Sequence, residues 1–293
     1  MEKPKDLRKE FPSALDIAYS QYKRDLARYR KIEEIMTRKV VTTTPESTLD
    51  KAAKIMGEKH IGSLIVLKYD TPVGIITERD LLSEVSASGI DLEKDWLLGT
   101  TSIKEEKVEK FMSYPLTTIC RTARIKEAAQ MMIEKKIRRL AVFECGKLVG
   151  IITASDLIRS LPEVPETMHV WFEVDYFMTK QVVTADEETP VNSVAKIMGE
   201  KRIGSVIITS KGEPIGIFTE RDLLTKFLAK DESLMIEVGE ACSSPLITAP
   251  LGISVHDAAV TMNSKQIRRL PITRERKLVG IITARDLVEA YAK

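Results

Sequence analysis

The chain has 293 residues, of which 43% are hydrophobic and only 5% aromatic, and its 45 Lys and Arg nearly balance 43 Asp and Glu, for a net charge of +2. That length holds about two ordinary domains or an array of smaller units around an aliphatic core, and the balanced charge excludes the broad single-sign field that draws in a nucleic acid, which is therefore not an expected partner. Cys120, Cys145 and Cys242 lack the spacing of a disulfide framework or metal site, no apolar run reaches the ~20 residues of a membrane span, and the opening MEKPKDLRKEF is charged where a secretory signal is apolar, so the expected place is the cytoplasm and no metal-binding residue is assigned.

In chain order, residues 1–32 are predicted as an N-terminal amphipathic helix, in a pattern that runs from Ser13 as N-cap to residue 36. Leu15, Ala18, Tyr19, Tyr22, Leu26 and Tyr29 line one face, and Lys23, Arg24, Arg28, Arg30 and Lys31 the other. Two readings stand: a helix packed on the first module, or a docking helix for a partner. Four copies of one unit follow. The stretch Gly74 to Asp80 (GIITERD) recurs at Gly150 to Asp156, Gly216 to Asp222 and Gly280 to Asp286, and in each copy a Thr after an apolar pair lies 35 residues before the motif Thr (77−42, 153−118, 219−184, 283−248).

Between those threonines each copy carries an apolar stripe at helical spacing: Leu49, Ala52, Ala53 and Met56; Ile125, Ala128, Ala129 and Met132; Val191, Val194, Ala195 and Met198; Val255, Ala258, Ala259 and Met262. The methionines on these stripes are read as core. Each helix is followed by an apolar strand, a short polar turn such as Cys145-Gly146 or Lys211-Gly212, and a strand that ends in the motif. The expected fold is therefore α/β (α+β), with four β-α-β-β-α repeats at 33–84, 108–160, 172–226 and 237–293.

The first and third copies share KIMGEK-x-IGS, whereas the second and fourth share Ile-Arg-Arg-Leu. The repeated object is thus a pair, and two pairs form two modules joined by a linker at 161–171, marked by Pro162 and Pro165.

These marks resemble cystathionine β-synthase (CBS) domains: the apolar pair plus Thr (Val41-Thr42, Thr117-Thr118, Val183-Thr184, Ile247-Thr248), the amphipathic helix, and Gly-apolar-apolar-Thr-x-x-Asp four times in register. The layout resembles two tandem Bateman modules, as in archaeal stand-alone CBS-domain proteins and the regulatory gamma subunit of AMP-activated protein kinase. The resemblance implies AMP, ADP or ATP as ligand, in clefts that a pseudo-twofold axis creates within each pair, with no further cofactor. It carries ribose binding to Asp80, Asp156, Asp222 and Asp286, and a hydroxyl partner for ribose or phosphate to Thr77, Thr153, Thr219 and Thr283. Adenine would meet Val41, Thr42, Ile61, Ile76, Thr118, Thr184, Ile203 and Thr248. Phosphate would meet Arg138, Arg139, Arg268 and Arg269, with Arg79, Arg221 and Arg285 as further candidates.

Chemistry leaves alternatives beside this. A carboxylate accepts two hydrogen bonds from a vicinal diol, but Thr-x-x-Asp is also a helix capping box. The arginine pairs grip phosphate or lie solvated on the surface. The first and third copies hold Ile61-Gly62-Ser63 and Ile203-Gly204-Ser205 in their place, so the four clefts are not equivalent. Repeats and connecting segments fill the chain and no nucleophile with an adjacent base recurs, so no enzyme is expected. The expected function is an energy-charge sensor acting on a separate effector protein, with a homodimer left open. The alternative is a scaffold, or a binder of S-adenosylmethionine or nucleic acid.

Overall fold

A computed structural model describes residues 30–87, 102–160 and 173–292. Each repeat forms one three-stranded sheet in sequence order: β1 (Thr42–Thr43), β2 (Ser63–Lys68) and β3 (Thr71–Thr77); β4 (Thr118–Cys120), β5 (Arg139–Glu144) and β6 (Lys147–Thr153); β7 (Thr184–Asp186), β8 (Ser205–Ser210) and β9 (Glu213–Thr219); β10 (Ala249–Pro250), β11 (Arg269–Arg274) and β12 (Lys277–Thr283). The first strand of each sheet runs parallel to the second, because a helix crosses between them, and the second and third form a hairpin. Every hairpin turns through two consecutive residues of positive φ, Tyr69-Asp70, Cys145-Gly146, Lys211-Gly212 and Glu275-Arg276, the backbone that suits the twist of the flanking strands.

The crossing helices Leu49–Glu58, Ile125–Glu134, Val191–Glu200 and Val255–Ser264 bury the predicted stripes, with Ile125 alone only half-buried. In the first three repeats a backbone N–H of the second strand donates to the residue before the conserved-offset threonine, as Ile65 does to Val41 at 3.2 Å. Repeat four has Pro271 at that register, which has no N–H, so β10 begins one residue later and Thr248 stays outside it.

Each repeat is introduced by a short helical turn that docks on its partner within the module. Ile32 donates its N–H to Ala123 O at 2.9 Å and Thr37 pairs with Ile151, while Val108 donates to Ser47 O at 2.8 Å and Ser113 pairs with Ile75. In the second module Val174 and Thr179 join repeat four, and Val238 and Ser243 join repeat three. This corrects the helix expected to run on to residue 36: Ile32–Glu34 is a 3-10 turn, and Ile32 and Met36 are drawn off into the core of repeat two. The rest of that helix, and the linker at 161–171, lie outside the described residues.

Helices carry the contact between modules. Glu78–Ala87, which follows β3, packs on Val191–Glu200, and Leu49–Glu58 packs on the π-helical turn Leu223–Leu228. Ala284–Ala292, after β12, packs on Ile125–Glu134 and Ala154–Arg159. Two apolar cores result, one shared by repeats one and three and one by repeats two and four. Sequence pairing thus governs the exchanged leaders, while the helical faces bind each repeat to its counterpart in the other module. Among the described residues no helix is long and apolar enough to cross a membrane.

Candidate functional site

The four strand-to-helix joints have one geometry. Thr77 donates both its backbone N–H and its hydroxyl to Asp80 Oδ2, each at 2.8 Å. Thr153 does so to Asp156 at 2.8 and 2.7 Å, Thr219 to Asp222 at 3.0 and 2.6 Å, and Thr283 to Asp286 at 2.8 and 2.8 Å. In the first three the aspartate N–H donates back to the threonine hydroxyl, so the capping box is formed. A hydroxyl whose proton is spent on the carboxylate is left as an acceptor, able to meet a ribose hydroxyl but not a phosphate oxygen.

The second oxygen, Oδ1, distinguishes the four aspartates. Ser113 Oγ reaches that of Asp80 at 3.4 Å. Arg159, one turn on, holds that of Asp156. Lys226 holds that of Asp222 at 2.8 Å, with Ser243 Oγ at 3.3 Å. Asp286 Oδ1 has no hydrogen-bond or ion-pair partner among the described residues. Burial is the main influence on Asp80 and Asp286 and raises both carboxyls above the ordinary value, against the hydrogen bonds from Thr77 and Thr283.

The arginines meet at the junction of all four repeats. Glu220 of repeat three, 3% exposed, accepts a hydrogen bond from Arg79 Nε of repeat one at 3.0 Å, and Arg138 of repeat two and Arg269 of repeat four each approach it at 3.6 Å. Glu78 of repeat one, 6% exposed, accepts from Arg221 Nε of repeat three at 2.9 Å. Arg79 and Arg221 thus cross between the modules in opposite directions, and Arg138 crosses beside Arg79. Among the described residues Arg139 and Arg268 make no hydrogen bond or ion pair through their side chains. Arg221 Nη2 is buried and unpartnered.

Six arginines therefore face two glutamates, and the excess charge is felt. Burial, helped by the like charge of Arg138, lowers Arg139 to about 10, and burial lowers Arg269 to about 10 as well. Burial pushes Glu220 up, but Arg79, Arg138 and Arg269 together outweigh it and hold the carboxyl below the ordinary range. Arg268 is reached by solvent yet walled closely enough that burial lowers it too. Arg139 and Arg269 are thus half-buried in the centre, whereas Arg268 keeps an exposed face. Arg285 makes no ion pair with either glutamate, and its charge is felt at Asp286.

Gly62 and Gly204 are the counterpart of the arginines. A Cβ on Gly62 would lie 2.6 Å from Arg139 Nη2 and 2.7 Å from Glu78 Oε2, and one on Gly204 would collide with Arg269 and Glu220. The glycines of one repeat leave the space through which the partner's arginine passes.

Of the adenine candidates, Val41, Ile61 and Ile203 are half-buried at the edge of the first core and Thr118, Thr184 and Thr248 are exposed, while Thr42 pairs with Ile65 in the sheet. Ile76 is a correction. It is wholly buried beneath the helices, because side chains alternate along β3 and the face opposite the core carries Ile75. The sequence reading also passed over Glu78 and Glu220. The signal was in the motif, which has Glu after the threonine in repeats one and three and Ala154 or Ala284 in repeats two and four, the copies that hold the arginine pairs.

The family model for the CBS domain matches residues 32–87, 108–163, 173–229 and 238–293. Protein MJ1404 of Methanocaldococcus jannaschii, uncharacterized, is 28% identical over 89% of this chain and 62% of its own length. Protein MJ1225 of the same organism is 32% identical over 59% of this chain and 67% of its own length. The chain thus spans under two thirds of MJ1404. The crystal structure of MJ1225, presented there as a proposed archaeal homolog of g-AMPK, matches with a TM-score of 0.74 at 22% identity, over 89% of this chain and all of that one. A conserved protein of Pyrococcus horikoshii matches with a TM-score of 0.60 at 24% identity and the same coverage. With four matches that together take in most of the sequence, the chain belongs to the CBS-domain family.

Proposed function

We propose that the chain is a regulatory protein without catalysis of its own, which binds adenine nucleotides between paired repeats and reports their phosphate number to a separate effector protein. The observation that carries this reading is the central excess of arginine over glutamate, Arg79, Arg138, Arg139, Arg221, Arg268 and Arg269 against Glu78 and Glu220, flanked by the Thr-x-x-Asp carboxylates. Buried charge without a counter-charge is costly, so such a centre suits an anion. Guanidinium forks fit phosphate oxygens, and an aspartate oxygen suits a ribose diol. The fold shared with MJ1225 is consistent with a regulatory role.

S-adenosylmethionine is the weaker reading, since its sulfonium would enter a field of the same sign. The near balance of charge over the whole chain, a net +2, disfavours nucleic acid as partner. Thermal melting with AMP, ADP, ATP and S-adenosylmethionine tests the proposal. A nucleotide at 100 times its Kd adds about 2.7 kcal/mol of stability. No shift with any adenine nucleotide overturns it.

A further inference from the structure

We infer that Glu220, and more weakly Glu78, act as built-in counter-anions that occupy the central arginines and so determine how strongly the protein distinguishes a phosphorylated ligand from its bare nucleoside. Three arginines from three different repeats converge on the Glu220 carboxylate at 3.0, 3.6 and 3.6 Å, whereas Glu78 receives a single ion pair, from Arg221. A carboxylate and a phosphate compete for the same guanidinium face, because both present two oxygens at matching separation. Glu220 is 3% exposed and sits where the four repeats meet, so an anion that takes Arg138, Arg269 or Arg79 must take it from this group.

The two glutamates are unlike in what they hold, which makes the centre lopsided despite the repeat symmetry. Arg139 and Arg268 are not ion-paired among the described residues, so an incoming phosphate has a landing point before any pair is broken. A monophosphate can rest there. A longer phosphate chain must reach the arginines of Glu220, and with them the inter-module pair Arg79 to Glu220. Glu220 is thus a specificity-determining residue, for the anion rather than for the base.

The inference rests on the proposed function only in taking an anion into the centre, and the experiment separates the two. Inorganic pyrophosphate, adenosine, AMP and ATP are titrated calorimetrically into wild type, Glu220→Gln and Glu78→Gln. Glu220→Gln should bind pyrophosphate and ATP at least about tenfold more tightly, with a smaller gain for Glu78→Gln and adenosine unchanged in both. If pyrophosphate gains and no adenine compound binds, the nucleotide reading falls and the counter-anion role stands. If neither variant gains affinity for pyrophosphate, or if adenosine gains as much as ATP, the inference is overturned. Should Glu220→Gln fail to fold, Glu78→Gln decides on the same criterion.

Discussion

Gly57, near the end of a helix in the first module, lies so close to Ala229 of the second that a Cβ on the glycine would stand 2.6 Å from the alanine's own. Neither atom can swing away, since both are fixed to backbone. Replacing a helical glycine by alanine ordinarily gains up to about 1 kcal/mol. Here Gly57→Ala should instead cost about 1–3 kcal/mol, by forcing the modules apart. Urea denaturation of the purified variant checks the sign, and a gain in stability would mean that the modules do not touch there.

The exchanged arginines differ in consequence. Removing Arg79 leaves Glu220 with Arg138 and Arg269, and Arg79 is 41% exposed, so Arg79→Ala should cost under about 1 kcal/mol. Removing Arg221 strips Glu78 of its single ion pair and strands a buried carboxylate, so Arg221→Ala should cost about 1–3 kcal/mol. Equal costs in chemical denaturation would show that the asymmetry has no energetic weight.

Asp286 offers an unengaged oxygen and Asp156 does not. Asp286→Ala should weaken nucleotide binding by ~1.5–3 kcal/mol while lowering the stability of the unliganded protein by only about 1 kcal/mol, the usual value of a cap. Asp156→Ala should weaken binding less, because Arg159 already takes the oxygen a ribose would use. Calorimetric titration of both variants decides. A large stability loss with unaltered affinity would make these residues caps alone.

Acid should loosen the centre. Glu220 is held below its ordinary value of 4.5, so the folded protein binds its proton less tightly than the unfolded chain. Its contribution is complete above the unfolded value and is lost as pH falls through the depressed one. Between neutral pH and about pH 3, wild type should lose melting temperature more steeply than Glu220→Gln, which has no such proton to take up. Parallel slopes would show that the carboxylate is not held by its arginines.

Much of this was legible in the sequence. The helices are marked by stripes such as Val191, Val194, Ala195 and Met198, and the hairpins by turns such as Lys211-Gly212, because local periodicity and turn backbone are written residue by residue. What a stripe packs against is not. Val194 and Ala195 bury an apolar face equally well on any apolar surface, and only the chain's path brings them to repeat one. Ile76 was misplaced because a one-residue step along a strand changes its face. Glu78 and Glu220 were hidden by sitting beside the aspartate that drew attention, although their absence from repeats two and four mirrors the placing of the arginine pairs.

Each repeat gives its opening turn to its neighbour and receives the neighbour's in return. Such a trade is indifferent to which molecule supplies the turn, so two chains folding side by side can satisfy the same contacts by lending across rather than within. Dilution then favours a chain closed on itself, crowding favours an interlocked pair, and a single repeat cut from the chain would lack the piece that completes it.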